Sequence, residues 1–321
     1  MKKTGLIALF CLLSLKSFCW GFFGHQRINY YSVFLLPPEM MVLFKPNVLF
    51  LSDHSVDPDK RRYAIKEEGP RHYLDIDHYG TYPYPALPRK WEDAIKKYGE
   101  DTILANGIVP WHIQVMQGRL TAAFKEKNQA KILKYAAEIG HYIADSHVPL
   151  HASGNHDGQL TNQKGIHGFW ESRVPEMLAE KTFDFMIGKA IYINNIPGYV
   201  WDRILESGAA ADTVLRYEAA LTKQFTPDRK YGFEERNGKI TRQYSSDFTA
   251  AYNTKLNGMV ERRMRLSILS VASFWYTAWI NAGQPDLKNL NNVAFSEADL
   301  LEFEQLNTDW KTGQFKGREH D

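Results

Sequence analysis

Residues 128–151 read NQAKILKYAAEIGHYIADSHVPLH, and they carry the clearest helical signal in the chain. Apolar residues recur every three or four positions between Ile132 and Ile143, which is the spacing of a helix with one buried face. Asn128 is a residue type that commonly caps a helix start, and Pro149 prevents the helix from continuing. This stretch therefore predicts a long amphipathic helix followed by a turn rich in histidine.

Helical spacing also dominates the rest of the chain. Residues 245–282 form a second long candidate helix, which ends at Gly283 and Pro285. Shorter candidates lie at 88–98, 111–125 and 165–179. Sustained alternation of polar and apolar residues, which is typical of strands, is hard to find. We therefore predict an all-α fold, a single mainly helical domain.

Composition excludes disorder and a generally basic surface. The chain of 321 residues is 44% hydrophobic and 13% aromatic, which is enough to bury a large core. Three of its 39 basic residues, Lys2, Lys3 and Lys16, lie in the first nineteen positions, which contain no acid. The remaining 36 basic residues face 37 acidic residues, so nothing in the overall charge favours nucleic acid or anionic membranes. Any attraction for anions must come from a local site.

The first nineteen residues have the pattern of a secretory signal peptide. An apolar run at 5–15 is too short to span a bilayer, and Ser17 and Cys19 are small residues suited to a cut before Trp20. An uncleaved anchor and a lipoprotein site at Cys19 are the alternatives. We expect cleavage and export, to the periplasm or outside the cell. Cys11 would leave with Cys19, so the mature chain would have neither a thiol ligand nor a disulfide.

The chain is therefore divided into three predicted regions. Residues 1–19 form the signal peptide, residues 20–285 the folded domain, and residues 286–321 a polar tail. Within the tail, Ser296 followed by Asp299 is typical of a helix start and predicts one docked helix. No transmembrane segment is expected in the mature chain, and no protein partner is evident.

Histidine and carboxylate residues with helical spacing are concentrated in one part of the sequence. His141 and Asp145 are four residues apart, so on a helix they point from one face, and His167 and Glu171 repeat this arrangement. His151 lies between the two pairs. Imidazole nitrogen and carboxylate oxygen are ligands that suit zinc, with bonds of roughly 2.0–2.2 Å. The pattern predicts a metal site.

For many histidines a structural explanation competes with metal binding. A single His–Asp pair at this spacing is commonly a hydrogen bond on a helix surface, whereas two pairs flanking His151 favour a metal site. Six other histidines are better explained as surface or hydrogen-bonded residues: His54, His78, His112, His147, His156 and His320.

Taken in order, the motifs resemble the superfamily that joins bacterial zinc-dependent phospholipases C and single-strand-specific zinc nucleases. The resemblance covers the chain from Trp20 to Glu171, and each motif alone is weak while their combination is specific. The matching motifs are Trp20-Gly-Phe-Phe-Gly-His25, Arg71-His72-Tyr73-Leu74-Asp75, the run from His141 through Asp145 to His151, and His167 with Glu171.

The resemblance implies a trinuclear zinc site at the centre of the helical domain. One ion would be held by His72, His141, Asp145 and an upstream aspartate, a second by the Trp20 amino terminus, His25 and the bridging Asp145, and a third by His151, His167 and Glu171. For the upstream aspartate we choose Asp57 over Asp53 and Asp59, because it precedes His72 by the fifteen residues found in the nucleases. Asp57 and Asp145 would be catalytic, with Asp57 orienting the attacking water.

The implied activity is zinc-dependent hydrolysis of phosphodiesters. The motifs around Trp20, Tyr73 and Asp145 look like those of the nucleases, in which an aromatic residue and an aspartate at the positions of Tyr73 and Asp75 bind a base. Arg61 is an approximate match to a nuclease arginine, with Lys60 as the alternative. These matches favour single-stranded nucleic acid as the substrate.

Two other functions stay open at this point. Glu171 matches the phospholipases C, where the nucleases usually have aspartate, so a hydrolase of phospholipid headgroups is the alternative. A zinc-binding protein without catalysis is the third.

Overall fold

The fold is described from a computed structural model, which describes residues 21–236, 239–288, 290, 294–313 and 315–316. The predicted signal peptide and Trp20 lie outside these residues. The described residues form a mainly helical fold with one pair of short strands, which confirms the predicted fold class. No helix in these ranges has both the length and the apolar character needed to cross a lipid bilayer.

Along the chain, α-helices alternate with short turns of other helical types. The α-helices are α1 (Gly21–Ser32), α2 (Pro38–Phe44), α3 (Val48–Asp53), α4 (Asp57–Arg61), α5 (Trp91–Tyr98), α6 (Glu100–Ala105), α7 (Val109–Lys125), α8 (Gln129–Asp145), α9 (Ile166–Gly168), α10 (Val174–Thr182), α11 (Ile196–Thr222), α12 (Pro227–Lys230), α13 (Ser246–Lys255), α14 (Met259–Asn281) and α15 (Glu297–Thr312). The strands are β1 (Tyr231–Arg236) and β2 (Lys239–Tyr244). Helical turns of the 3-10 type occupy Val33–Leu35, His54–Val56, Lys66–His72, Ile76–Tyr79 and Pro149–Ala152, and a π-helical turn occupies Phe169–Arg173.

Helix α8 is the centre of the fold. The side chain of Asn128 caps it by accepting a hydrogen bond of 3.0 Å from the backbone nitrogen of Lys131. Its second half is buried almost completely, against α1, α7 and α14. Gly140 allows α1 to approach, because a β-carbon there would lie 2.0 Å from Oδ1 of Asn29. Asn29 also donates a hydrogen bond of 3.0 Å to the carbonyl of Ala137, which ties α1 to α8.

Large aromatic side chains fill the core around α8. Trp170, Trp201 and Trp275 are fully buried, and the indole nitrogen of Trp275 donates a hydrogen bond of 2.9 Å to the carbonyl of Ala136. Burying a side chain of this size contributes about 1.5–3 kcal/mol or more, and the hydrogen bond removes the penalty of a buried indole N–H.

The second long helical candidate is interrupted. Residues 245–282 form two helices, α13 and α14, rather than one. Asn257 and Gly258 separate them with positive φ angles of 51° and 70°, a conformation that does not continue a right-handed helix. The sequence prediction of one continuous stretch was therefore wrong at this point.

The strands form an antiparallel hairpin that the sequence analysis missed. Tyr231 pairs with Tyr244 at its base. The guanidinium of Arg173 anchors it by donating to the carbonyl of Tyr244 at 3.1 Å and to the carboxylate of Glu234. The hairpin is thus fixed to the π-helical turn that carries Glu171.

A helix lies in the polar tail where the Ser296 pattern predicts one. Ser296 and Asp299 form a reciprocal capping box at the start of α15. Helix α15 packs on α4 with Leu306 buried, and Lys134 of α8 pairs with Glu302 of α15 at 2.6 Å. The ring of Trp310 lies 5.0 Å from that of Phe22, at the other end of the described chain. The assignment of residues 1–19, 20–285 and 286–321 as separate regions stays a prediction.

Candidate metal centre

Three groups of side chains in the described residues have the geometry to hold a metal ion. Within each group the ligand atoms lie within 4.8 Å of one another. All of these side chains are buried, and even the least buried of them, Asp59, is only 6% exposed. Group 1 is Asp59, His72 and His141; group 2 is His25, His141 and Asp145; group 3 is His151, His167 and Glu171.

Separate elements bring these residues together. Helix α1 provides His25, and α4 provides Asp59. The 3-10 turn Lys66–His72 ends on His72, and α8 presents His141 and Asp145 from its last turn and a half. The remaining ligand candidates follow in two short turns, with His151 in Pro149–Ala152 and His167 and Glu171 at the junction of α9 with the π-helical turn. A π-helical turn of this kind is frequent at functional sites.

Asp145 links the groups, because its two oxygens face different histidines. Oδ2 lies 3.0 Å from Nδ1 of His72 and 3.3 Å from Nε2 of His141. Oδ1 lies 3.4 Å from Nε2 of His25 and 3.9 Å from Nδ1 of His151. A carboxylate in this position can bridge two ions.

Group 3 is arranged around one oxygen of Glu171. Its Oε2 lies 3.0 Å from Nε2 of His167 and 3.4 Å from Nε2 of His151. The start of the helical segment is held by Asp157, which accepts hydrogen bonds from the backbone nitrogens of Gly165 at 2.9 Å and His167 at 3.2 Å. Asp157 thereby fixes the turn from which His167 projects.

The buried polar atoms of the site fit a metal ion. Both ring nitrogens of His25, both oxygens of Asp59, Oδ1 of Asp145 and Oε2 of Glu171 have no hydrogen-bond partner. Leaving such atoms without a partner in the interior costs about 1–3 kcal/mol each, and more for a charged group. Coordination of a cation would satisfy them, and the nitrogen and oxygen ligand set is one that zinc accepts.

The outer nitrogens of two histidines support the same conclusion. Nδ1 of His141 donates to the carbonyl of Ser55 at 2.8 Å, and Nδ1 of His151 donates to the carbonyl of His72 at 2.6 Å. In both rings Nε2 is left facing the cluster. Metal-binding histidines are typically held in this way, because the outer hydrogen bond fixes the tautomer and the ring orientation.

The charges of the site keep its carboxylates ionised. Burial alone would raise the pKa of Asp145, but His141 and His151 lower it well below its usual range. Burial likewise opposes ionisation of Glu171, while His167 and His151 lower its pKa to about 2. Asp145 and Asp59 overcome the burial of His141 and raise its pKa to about 9. The metal-free cluster thus holds protons that a metal ion would displace.

The structure places Asp59, rather than Asp57, beside the histidines. Oδ1 of Asp59 lies 3.6 Å from Nε2 of His141 and 3.8 Å from Nδ1 of His72. The oxygens of Asp57 accept hydrogen bonds from Lys60 at 2.9 Å and His54 at 2.6 Å. Two residues apart on α4, the two aspartates point to nearly opposite sides of the helix. On this geometry Asp59, and not Asp57, belongs to a candidate ligand group, and the catalytic role given to Asp57 stays a prediction.

The residues expected to bind substrate are buried or paired elsewhere. Tyr73 is 3% exposed, so its ring offers no accessible face on which a base could stack, and Asp75 is also buried. Arg61 pairs with the carboxylates of Glu138 and Glu68, the latter at 3.8 Å. The substrate-binding roles of these three side chains stay predictions.

The described residues begin at Gly21, directly after the predicted ligand Trp20. Trp20 itself lies outside the described residues. Gly21, which follows it, is packed against Ser172, since a β-carbon on Gly21 would lie 2.8 Å from the hydroxyl oxygen of Ser172. The chain therefore begins α1 next to the turn that carries Glu171.

Three supporting groups were not found from the sequence, namely Glu68, Asp157 and the carbonyl of Ser55. Glu68 precedes His72 by four residues, the same spacing that drew attention to His141 and Asp145. The spacing could therefore have indicated that Glu68 and His72 lie close together. The role of the Ser55 carbonyl could not be predicted in this way, because every residue has a backbone carbonyl.

Comparisons with known proteins give no family. No protein-family model matches the chain. No curated protein matches it significantly. Among solved structures it is similar to the alpha toxin from Clostridium absonum, with a TM-score of 0.45 and 11% identity over 89% of this chain and 68% of that chain. A likeness of this strength says nothing about function.

Proposed function

We propose that this protein is a zinc-dependent hydrolase of phosphodiesters. The observation that supports it is the buried cluster of three ligand groups linked through His141 and Asp145, assembled from distant parts of the chain and rich in polar atoms without hydrogen bonds. Buried polar atoms that converge in this way are costly unless they serve a ligand.

Three zinc ions are proposed. Asp59, His72, His141 and Asp145 would hold the first, and His25, Asp145 and the free amino terminus of Trp20 the second. His151, His167 and Glu171 would hold the third. When bound, zinc stabilises negative charge on a phosphoryl oxygen and lowers the pKa of a water molecule that it binds from 15.7 to about 7.

The charge balance of the cluster favours an anionic substrate. Its histidines are neutral when they bind a metal, so three carboxylates, Asp59, Asp145 and Glu171, would face three divalent ions. The site then carries a net positive charge in a chain that has no general basic excess. A phosphodiester anion matches this charge.

Among phosphodiesters we propose phospholipid headgroups ahead of single-stranded nucleic acid. The reason is the burial of Tyr73, which removes the aromatic surface expected to stack a base. Glu171 agrees with this choice, because the resemblance matches it to the phospholipases C. Nucleic acid remains the second candidate, supported by the nuclease-like order of the other motifs.

The decisive experiment measures metal content and hydrolysis in one preparation. We expect the exported chain to begin at Trp20, to hold three zinc ions, and to cleave phosphatidylcholine vesicles faster than single-stranded DNA. Export to the periplasm or the extracellular space is part of the proposal, and the mature terminus tests it. A chain that holds zinc but cleaves neither substrate would leave a non-catalytic zinc-binding protein as the explanation.

Replacement of the bridging carboxylate tests the site itself. Asp145→Asn removes the charge that faces groups 1 and 2 with little change in shape. We expect at least one zinc ion to be lost and hydrolysis to fall by about 10²-fold or more, since a bridging ligand also positions the reacting groups. Full activity in a variant with fewer ions would remove Asp145 from the mechanism.

A further inference from the structure

The outer nitrogen of His72 faces a side chain that the proposed function does not use. Its Nδ1 points into the cluster, 3.0 Å from Nε2 of His141 and 3.0 Å from Oδ2 of Asp145. Its Nε2 points away and lies 3.5 Å from Oε1 of Glu68. His141 and His151 direct their outer nitrogens at backbone carbonyls, whereas His72 directs it at a carboxylate.

Glu68 is held firmly in this position. It is fully buried, and its Oε2 accepts a hydrogen bond of 2.7 Å from Arg71. The hydroxyl of Tyr142, which comes from α8, donates to its Oε1. Arg61 lies 3.8 Å away on the same side as Arg71. With these donors around it, the carboxylate cannot turn away from His72 without leaving the buried hydroxyl of Tyr142 unpaired.

We propose that Glu68 is a positioning residue that orients His72 for metal binding. The negative charge 3.5 Å from Nε2 favours the tautomer with its proton on that nitrogen, which leaves the lone pair of Nδ1 aimed into the cluster. A carboxylate behind a metal-bound imidazole also makes the ring a stronger ligand, and loss of such a partner typically weakens metal binding about 10–100-fold. The inference rests on the metal cluster of the proposed function and not on its substrate.

The test compares Glu68→Gln with Glu138→Gln. Both variants replace a buried carboxylate that pairs with Arg61, and neither residue belongs to a metal group. The difference is that Glu68 lies next to Nε2 of His72. Each purified full chain is dialysed against a graded series of a competing chelator, and its zinc content is measured by mass spectrometry. The melting temperature of each metal-free chain is measured in parallel with its zinc content.

We expect Glu68→Gln to release one zinc ion at a chelator concentration about 10–100-fold lower than the unmodified chain does. For Glu138→Gln we expect the chelator concentration at half release to change by less than about threefold. A general loss of stability would move both variants together. Equal zinc release by Glu68→Gln and Glu138→Gln would overturn the inference.

A second measurement covers the case in which Glu68→Gln does not fold. Nitrogen NMR of the unmodified zinc-loaded chain reports which nitrogen of His72 carries the proton. A proton on Nε2 is the expected result, and a proton on Nδ1 would overturn the inference. A chain that binds zinc with this tautomer but hydrolyses no phosphodiester would refute the proposed function alone, and a chain without zinc would refute both.

Discussion

The two aspartates at the start of α4 offer a matched pair of variants. Asp57→Asn and Asp59→Asn are the same chemical change two residues apart, on the same short helix, in side chains that are both buried. One faces Lys60 and His54, and the other faces the histidines of group 1. The structure therefore predicts different outcomes for stability and for metal content.

Asp57→Asn is expected to lower stability and leave the metal in place. Asp57 accepts 2.9 Å and 2.6 Å hydrogen bonds from Lys60 and His54 in a largely buried setting. Hydrogen bonds to charged groups contribute about 1.5–3 kcal/mol, and an amide keeps the shape but loses the charge. We therefore expect a loss of about 1–3 kcal/mol in the free energy of unfolding, with zinc content unchanged.

Asp59→Asn is expected to remove a zinc ion and to change the stability of the metal-free chain less. Its oxygens have no hydrogen-bond partner, and their charge faces His141 and the buried Arg62, each at 3.6 Å. Measured above pH 9, where His141 is neutral, metal-free Asp59→Asn should therefore lose less unfolding free energy than Asp57→Asn, which loses two charge-assisted hydrogen bonds. The zinc-loaded chain should carry about one ion fewer, because an amide oxygen is a poorer zinc ligand than a carboxylate.

The assay is denaturant unfolding of metal-free protein together with zinc counted by mass spectrometry. If Asp57→Asn loses an ion while Asp59→Asn keeps all of them, the orientation of α4 is refuted, and the sequence-based choice of Asp57 is restored.

Two further predictions concern pH and packing. In the metal-free chain His141 has a pKa raised to about 9, so its contribution to stability is complete below pH 6.5 and is lost as the pH rises through 9. Glu171 has a pKa lowered to about 2, so its contribution is present above pH 4.5 and is lost as the pH falls through 2. The melting temperature of metal-free protein should therefore fall between pH 6.5 and 9, while zinc affinity, measured by competition, should rise as protons leave the histidines. Gly140→Ala places a β-carbon 2.0 Å from Oδ1 of Asn29 and should cost about 1–3 kcal/mol in denaturant unfolding.

The packing prediction and the pH prediction can each be checked against a control. Gly118→Ala is the partner of Gly140→Ala, because it also lies in a helix but a β-carbon there meets nothing within 4 Å. It should stabilise the chain by up to about 1 kcal/mol through helix propensity. Equal effects of the two alanines would contradict the close packing of α1 on α8. For the pH series, a melting temperature of metal-free protein that rises from pH 6.5 to 9 would contradict the charged state assigned to His141.

Local spacing explains what could be predicted from the sequence. Helix α8 and the two pairs, His141 with Asp145 and His167 with Glu171, depend on residues three or four apart, and periodicity reports such relations directly. Their convergence could not be read from spacing, because it depends on contacts between distant segments. The resemblance to a known superfamily supplied that part.

The choice among Asp53, Asp57 and Asp59 needed information that a sequence does not hold. These residues lie in two short helices, where a difference of one or two positions turns a side chain to another face. The burial of Tyr73 is likewise set by elements that pack over it. The hairpin is a different case, since the dipeptide Asn237-Gly238 between two polar-apolar segments is a strong hairpin signal that was overlooked.

The contact between Trp310 and Phe22 joins α15 to α1, the helix that carries His25. Helix α15 rests on α4, which carries Asp59, and on Phe22, three residues before His25. Contacts this far apart in sequence form slowly, because the intervening chain must first be closed into a loop. We therefore expect His25 and Asp59 to reach their final positions late in folding, once α15 has packed on α4 and on the start of α1.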